Sequence, residues 1–249
     1  MTALRALAYN LGFWLLTLVI AGLGMPTMLF DRRWALLASE IWTAASLGWL
    51  RISVGLTHEV RGRENLAPGA VIVAIKHQSA FDTLILNSLM VDPAIVLKRE
   101  LLYLPVLGPY FTKIGMIPVD RNGGARALKA MVAMAKGARD AGRPIAIFPE
   151  GTRGAVGARL PFQPGVAALY SQLGLPIVPV ALNSGLFWGR QAFLKRPGRI
   201  VVEILPAIPP GLDRRVAMAL LEERISTATD RLVAAAQGDE TLSGRLEPA

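Results

Sequence analysis

No cysteine occurs in the 249 residues. Disulfides, thiolate metal sites and cysteine nucleophiles are therefore excluded. Histidine is almost as scarce. His58 and His77 are the two present, too few for a histidine-rich metal site. There is no basic run of five, no zinc-ligand spacing and no helix of interleaved arginine and aromatic residues. Nucleic acid is thus a poor partner despite a net charge of +9. A Gly-x-Ser-x-Gly nucleophile elbow is also missing, which argues against an α/β-hydrolase.

What is present divides unevenly along the chain. Hydrophobic residues make up 53%, charged residues 18%, and mean hydropathy is +0.42. That is too apolar for an ordinary soluble enzyme and too charged for a polytopic membrane protein. The length suits one large α/β domain, or a small membrane module attached to one. An excess of cations fits an anionic partner such as a phospholipid surface or a phosphorylated metabolite. The plainer account is solubility or general arginine enrichment.

Residues 6–30 carry no charge, with Arg5 before them and Asp31-Arg32-Arg33 after. The run is long enough to span a bilayer. It is too long for a signal peptide and lacks a small-residue cleavage site. Gly12, Gly22, Gly24 and Pro26 weaken a straight helix. A second apolar stretch, Trp34 to Leu50, contains Glu40 and ends at Arg51. One spanning helix, a hairpin entering and leaving on one side, and two interfacial helices all fit. Trp34 and Trp49 suit the headgroup region. Residues 1–55 are therefore expected to form a membrane-associated helical module, the plainer alternative being a helical pair buried in a soluble domain.

From Leu56 the texture changes. Short apolar runs at 71–75, 94–97, 144–148, 176–182 and 200–205 alternate with helical candidates at 79–90, 100–111, 124–141, 164–174 and 212–236. This predicts an α/β domain over 56–236, a mostly parallel central sheet covered by helices. Residues 237–249 are polar and read as a flexible tail.

Two segments carry candidate chemistry. Residues 76–82 read Lys-His-Gln-Ser-Ala-Phe-Asp directly after a predicted strand. Five residues along one continuous helix would separate His77 from Asp82 by ~140°. They can meet if His77 lies in the strand-to-helix turn and Asp82 in the first helical turn. Ser79 is then a plausible N-cap, with Ser79-x-x-Asp82 in capping-box form. Asp82 can serve merely as a cap, or it can fix the tautomer of His77 so that the other ring nitrogen accepts a proton from an alcohol. Residues 148–153, Phe-Pro-Glu-Gly-Thr-Arg, also follow an apolar strand. Glu150 can accept hydrogen bonds from a polyol, and Arg153 can grip a phosphate. Alone, the hexapeptide could equally be a solvated loop.

Together the segments resemble the glycerolipid acyltransferase family, typified by 1-acylglycerol-3-phosphate acyltransferases. His77-x4-Asp82 matches its first motif. Gly115-Met116-Ile117-Pro118-Val119-Asp120-Arg121 matches the second in a looser form, with Pro118 where Phe is common. Residues 148–153 match the third in full, and Ile177-Val178-Pro179-Val180 the fourth. Lys98-Arg99-Glu100-Leu101, with Pro105 and Gly108 beyond, also fits. The likeness covers about residues 56–206, and four ordered motifs make it specific.

The resemblance implies transfer of a fatty acyl group from a thioester, acyl-carrier protein or acyl-CoA, to the free hydroxyl of lysophosphatidate. His77 would act as general base oriented by Asp82. Arg121, Arg153 and Lys98 would bind the acceptor's phosphate, and Glu150 and Gly151 would line the glycerol site. No metal or prosthetic group is implied. The expected location is the inner membrane, with the catalytic domain facing the cytoplasm. Phe162, Phe187 and Trp188 could line an acyl channel, although core packing is the commoner role for such residues. Two other readings are a different acceptor, such as a lyso-ornithine lipid, and a non-catalytic lipid-binding scaffold.

Overall fold

The computed structural model describes residues 2–243. In chain order the elements are α1 (Thr2–Leu23), α2 (Arg32–Val54), β1 (Leu56–Arg61), β2 (Ile72–Ile75), α3 (Phe81–Leu84), α4 (Leu86–Leu89), β3 (Ala94–Lys98), α5 (Leu107–Lys113), β4 (Ile117–Val119), α6 (Gly124–Asp140), β5 (Ile145–Ile147), α7 (Pro164–Leu173), β6 (Ile177–Leu182), α8 (Ser184–Phe187), β7 (Gly198–Ile204) and α9 (Arg214–Ser243). One seven-stranded sheet has the order β1-β7-β6-β2-β5-β3-β4. The strands from β6 to β4 are parallel, as the alternating texture predicts. β7 runs antiparallel to β6 and parallel to β1.

β2 is buried along its whole length, between neighbours on both sides. Such a strand reads as a continuous apolar run, here Ile-Val-Ala-Ile. Its alternation sorts the layers. Ile72 and Ala74 pack with residues of α6, α7 and α9. Val73 and Ile75 pack on the opposite face, with α3, α4, α5 and the N-terminal helices. Continued by two residues, the same period sends His77 towards the face that the helical hairpin covers.

α1 and α2 form that hairpin. Ala6, Tyr9, Thr17 and Ala21 of α1 are buried at helical spacing, while Leu4, Leu11, Trp14, Leu15 and Leu18 are exposed on the other side. Ala3–Leu23 is long and apolar enough to cross a membrane, and is the one helix among the described residues that is. Yet α1 is held along its length. Trp49 Nε1 donates to the Tyr9 carbonyl at 3.2 Å, Trp42 Nε1 to Thr17 Oγ1 at 3.0 Å, and the Tyr110 hydroxyl to the Ala21 carbonyl at 2.8 Å. Gly12 is where this packing is tightest, since a Cβ there would lie 2.2 Å from the Trp49 indole nitrogen. The glycine read as a weak point in the helix is thus a contact site. Trp49 correspondingly lies in the α1–α2 seam, whereas the exposed Trp34 stacks under Arg33.

Arg32 also departs from the expected flanking charge. It pairs through both terminal nitrogens with Asp92 and donates to the Ile114 carbonyl at 2.6 Å. It thereby fastens the start of α2 to the domain. The predicted helix at 79–90 divides into α3 and α4. That at 100–111 divides into a 3-10 turn, Arg99–Tyr103, and α5, because Pro105 interrupts it and Val106 takes φ +69°. α9 continues through residues 237–243 of the stretch read as a tail, and 244–249 lie outside the described residues.

Candidate active site

Between β2 and α3 the chain makes a tight corner closed by Asp82. One of its carboxylate oxygens, Oδ2, accepts from the Gln78 amide at 2.6 Å and the Ser79 amide at 2.7 Å, and lies 3.1 Å from His77 Nδ1. Oδ1 accepts from the Ser184 hydroxyl at 2.5 Å. The Asp82 side chain is fully buried and that of His77 is 12% exposed. A carboxylate so far from water is tolerable because four donors surround it. An ionised carboxylate can only accept, so Nδ1 carries a proton, and in the neutral ring the lone pair is then on Nε2. The imidazole is held from one side by Phe148, stacked at 3.9 Å between centroids.

The corner corrects the capping expectation. Ala80, not Ser79, precedes α3 and makes no side-chain cap. Ser79 Oγ instead accepts from the Phe81 amide at 3.1 Å. Capping and tautomer control are not alternatives either, since Asp82 Oδ2 binds both backbone amides and the imidazole.

The Phe-Pro-Glu-Gly-Thr-Arg segment follows β5, the strand beside β2. Gly151 adopts φ +67°, which lets the chain turn back. The Gly154 amide then donates to the His77 carbonyl at 2.8 Å, bringing Arg153 next to the corner. Glu150 is placed differently from its predicted role. Its side chain is 1% exposed and pairs with the buried Lys76. Its second oxygen accepts from the His77 amide at 3.3 Å. It braces His77 from behind and could meet a glycerol hydroxyl only by leaving that pair.

The remaining predicted cations lie along the same sheet edge at increasing distance. Lys98 ends β3, is exposed, and sits 3.2 Å from Glu100. Arg121 follows β4, the edge strand, and is exposed with no ion pair among the described residues. β4 stands two strands beyond β5, about 10 Å at the usual strand spacing. The two arginines therefore share an edge but do not start side by side. Phe187 and Trp188 are buried in the core and Phe162 packs against it, so packing accounts for all three.

Two residues of the site had no predicted role. Lys76 precedes His77 and its signal was a cation at the end of an apolar strand, where it has to be paired. Ser184 lies about a hundred residues away from Asp82 and no local pattern marks it. His58 stands apart in β1. Burial, and secondarily the charge of Arg63, hold it below the ordinary histidine range. No group of three potential metal ligands occurs among the described residues. An apolar cavity of about 40 Å³ lies between the hairpin and α5, lined by Ile20, Trp42, Leu107 and Tyr110 among others, and shares no residue with the corner.

The chain is similar to known proteins. The family model described as Acyltransferase matches residues 57–183. A 1-acyl-sn-glycerol-3-phosphate acyltransferase of Pseudomonas aeruginosa is 34% identical over 199 residues, covering 80% of this chain and 77% of its own. One from Limnanthes alba is 33% identical, over 62% of this chain and 55% of its own length. The crystal structure of the 1-acyl-sn-glycerophosphate acyltransferase of Thermotoga maritima superposes with a TM-score of 0.76, over 93% of this chain and 98% of that one. At 22% identity, that likeness speaks for the fold. With the family model matching from β1 through β6, and both the first and third motifs inside that span, this chain belongs to the acyltransferase family.

Proposed function

We propose that this enzyme transfers a fatty acyl group from a thioester, of acyl-carrier protein or coenzyme A, to the free hydroxyl of 1-acyl-glycerol-3-phosphate, giving phosphatidate. The observation that carries the reading is the His77–Asp82 pair with its imidazole Nε2 left open. Nε2 takes the proton of the acceptor hydroxyl as that oxygen attacks the thioester carbonyl. The tetrahedral intermediate expels the thiolate, which recovers the proton from the imidazolium. No enzyme nucleophile is needed, because the thioester is already activated. A positioned base contributes ~10²–10⁴ in rate, and alignment of the two substrates at least as much.

The developing oxyanion needs donors. The Gln78 and Ser79 amides are spent on Asp82, and the Gly151 amide on Phe148. The amides of Thr152 and Arg153 remain in that turn, and we assign the oxyanion to them. Arg153 binds the acceptor's phosphate beside the base. Lys98 and Arg121 extend the cationic edge outward, and Gly151 leaves room for the glycerol. The named activity of the Pseudomonas and Limnanthes relatives supports this acceptor.

The site shares its sheet face with the hairpin, which supports approach of the acceptor from a bilayer. Contacts at both halves of α1 favour a hairpin lying in one leaflet over a lone spanning helix. The donors named are cytoplasmic compounds, so the catalytic domain faces the cytoplasm at the inner membrane. Product mass spectrometry over a panel of lysolipids and thioesters tests the assignment, with His77→Ala as control. Preference for a phosphate-free lysolipid would overturn the acceptor. Equal product from the His77→Ala control would overturn the mechanism.

A further inference from the structure

Between α8 and β7 the chain crosses the surface as Trp188-Gly-Arg-Gln-Ala-Phe-Leu-Lys-Arg-Pro197. Most exposed loops avoid large apolar side chains at their tips, yet Phe193 and Leu194 are each 52% exposed. The next residue is the reverse case. Lys195 is buried, with Nζ donating to Asn10 Oδ1 at 2.9 Å and to the Phe193 carbonyl at 3.0 Å. Its ammonium also lies over the rings of Tyr9 and Trp188, at 4.9 and 4.7 Å. A lysine turned inward onto α1 leaves the two preceding apolar side chains turned outward. The Arg196 amide donates to the Phe187 carbonyl at 2.8 Å, which fixes the far side of the loop.

The surroundings identify an occupant. Asn10 stands within one turn of Leu7 and Leu11, both exposed. The loop tip is thus tied at the level of α1's own uncovered apolar face and extends it. Arg190 and Arg196 are exposed on either side of Phe193 and Leu194, and neither has an ion pair among the described residues. Apolar tips between free cations fit an interface of acyl chains beneath anionic headgroups.

We propose that residues 189–197 form a second membrane-docking element, in which Phe193 and Leu194 enter an anionic lipid surface while Arg190 and Arg196 meet its phosphates. The proposal rests on the reading of the hairpin as membrane-embedded, and it makes the loop the point that orients the domain about that hairpin.

The absence of cysteine makes a direct test simple, because one introduced thiol is unique. Full-length protein labelled with a fluorophore at Leu194→Cys, Leu11→Cys or Lys136→Cys is bound to vesicles of anionic phospholipid containing brominated acyl chains. Quenching at 194 should match that at 11 and exceed that at 136 severalfold. Arg190→Gln with Arg196→Gln should lower quenching at 194 by about half in anionic vesicles, and leave that at 11 unchanged. Quenching at 11 without quenching at 194 would overturn the loop and leave the hairpin reading standing. No quenching at either position would overturn both.

Discussion

The corner around His77 and the cationic edge beside it are built in opposite ways. At the corner every polar atom of Asp82 is satisfied, the carboxylate is buried, and the imidazole is stacked on an aromatic ring. Along the edge Arg121 is exposed with no ion pair among the described residues, and Lys98 makes one exposed pair with Glu100. A base has to hold one tautomer and one direction before substrate arrives, and fixing it requires a buried network. A phosphate can be met by side chains that settle on binding. Damage to the corner should therefore appear in turnover, and damage to the edge in apparent affinity.

The largest effect is expected from His77→Ala. Turnover should fall by ~10³-fold or more with the melting temperature only slightly lowered, because the Gln78 and Ser79 amides and the Ser184 hydroxyl still satisfy the Asp82 carboxylate. Turnover within tenfold of the parent would remove the base from the mechanism. Asp82→Asn should follow, with a ~10²–10⁴-fold loss of turnover. More than the first variant, it should also unfold more easily, by about 2 kcal/mol, since the amides of Gln78 and Ser79 lose a charged acceptor. A denaturant titration alongside the assay separates the two losses. Full activity with reduced stability would mean that Asp82 is a cap and nothing more.

Arg153→Ala sharpens the contrast from the other side. Its apparent KM for lysophosphatidate should rise ~10–100-fold with kcat little changed, the loss expected for a charge-assisted contact made in ground and transition states alike. Arg121→Ala, three strands from β2, should cost less. Kinetics with a phosphate-free lysolipid are the check. Equal losses on both acceptors would show that these arginines do not read the phosphate.

Ser184→Ala is a milder probe of the corner. Losing one hydrogen bond to Asp82 should reduce kcat ~10-fold at constant KM, with Ser184→Thr restoring most of it. A rise in KM instead would assign Ser184 to substrate binding. The smallest effect on catalysis should come from Lys195→Met. Burial lowers Lys195 from 10.5 to about 8. Between those values the unfolded chain holds a proton that the folded chain does not, so this group's contribution to stability rises as pH rises through that window. Denaturant midpoints from pH 7 to 10.5 should show the wild type gaining on the variant by ~1–3 kcal/mol. A constant gap would mean the ammonium is not effectively desolvated.

The same contrast explains what could be read from residues alone. Strands β2, β5 and β6 were legible because a strand buried on both faces is a short unbroken apolar run. Local chain geometry also revealed that His77 and Asp82 could meet, since five residues across a strand-to-helix turn form a closed loop. The pairing direction of β7 was not legible, because an apolar run carries no sign of whether its neighbour runs with or against it. Ser184 was hidden because its partner lies 102 residues away, and Lys76–Glu150 because a buried ion pair looks in sequence like two surface charges. Gly12 misleads for a similar reason. Its propensity is unfavourable in a helix, but the close approach of Trp49 decides the position.

The way α1 is held has a kinetic consequence. For a hairpin lying in one leaflet and gripped by Trp49, Trp42 and Tyr110, the His77 corner stays at a set height above the lipid to which it is bound. The acceptor then arrives by lateral diffusion, and the concentration that matters is its mole fraction in the surface. Adding inert detergent at constant total acceptor should slow the reaction by surface dilution, while enlarging the volume at constant surface composition should leave the rate per bound enzyme unchanged.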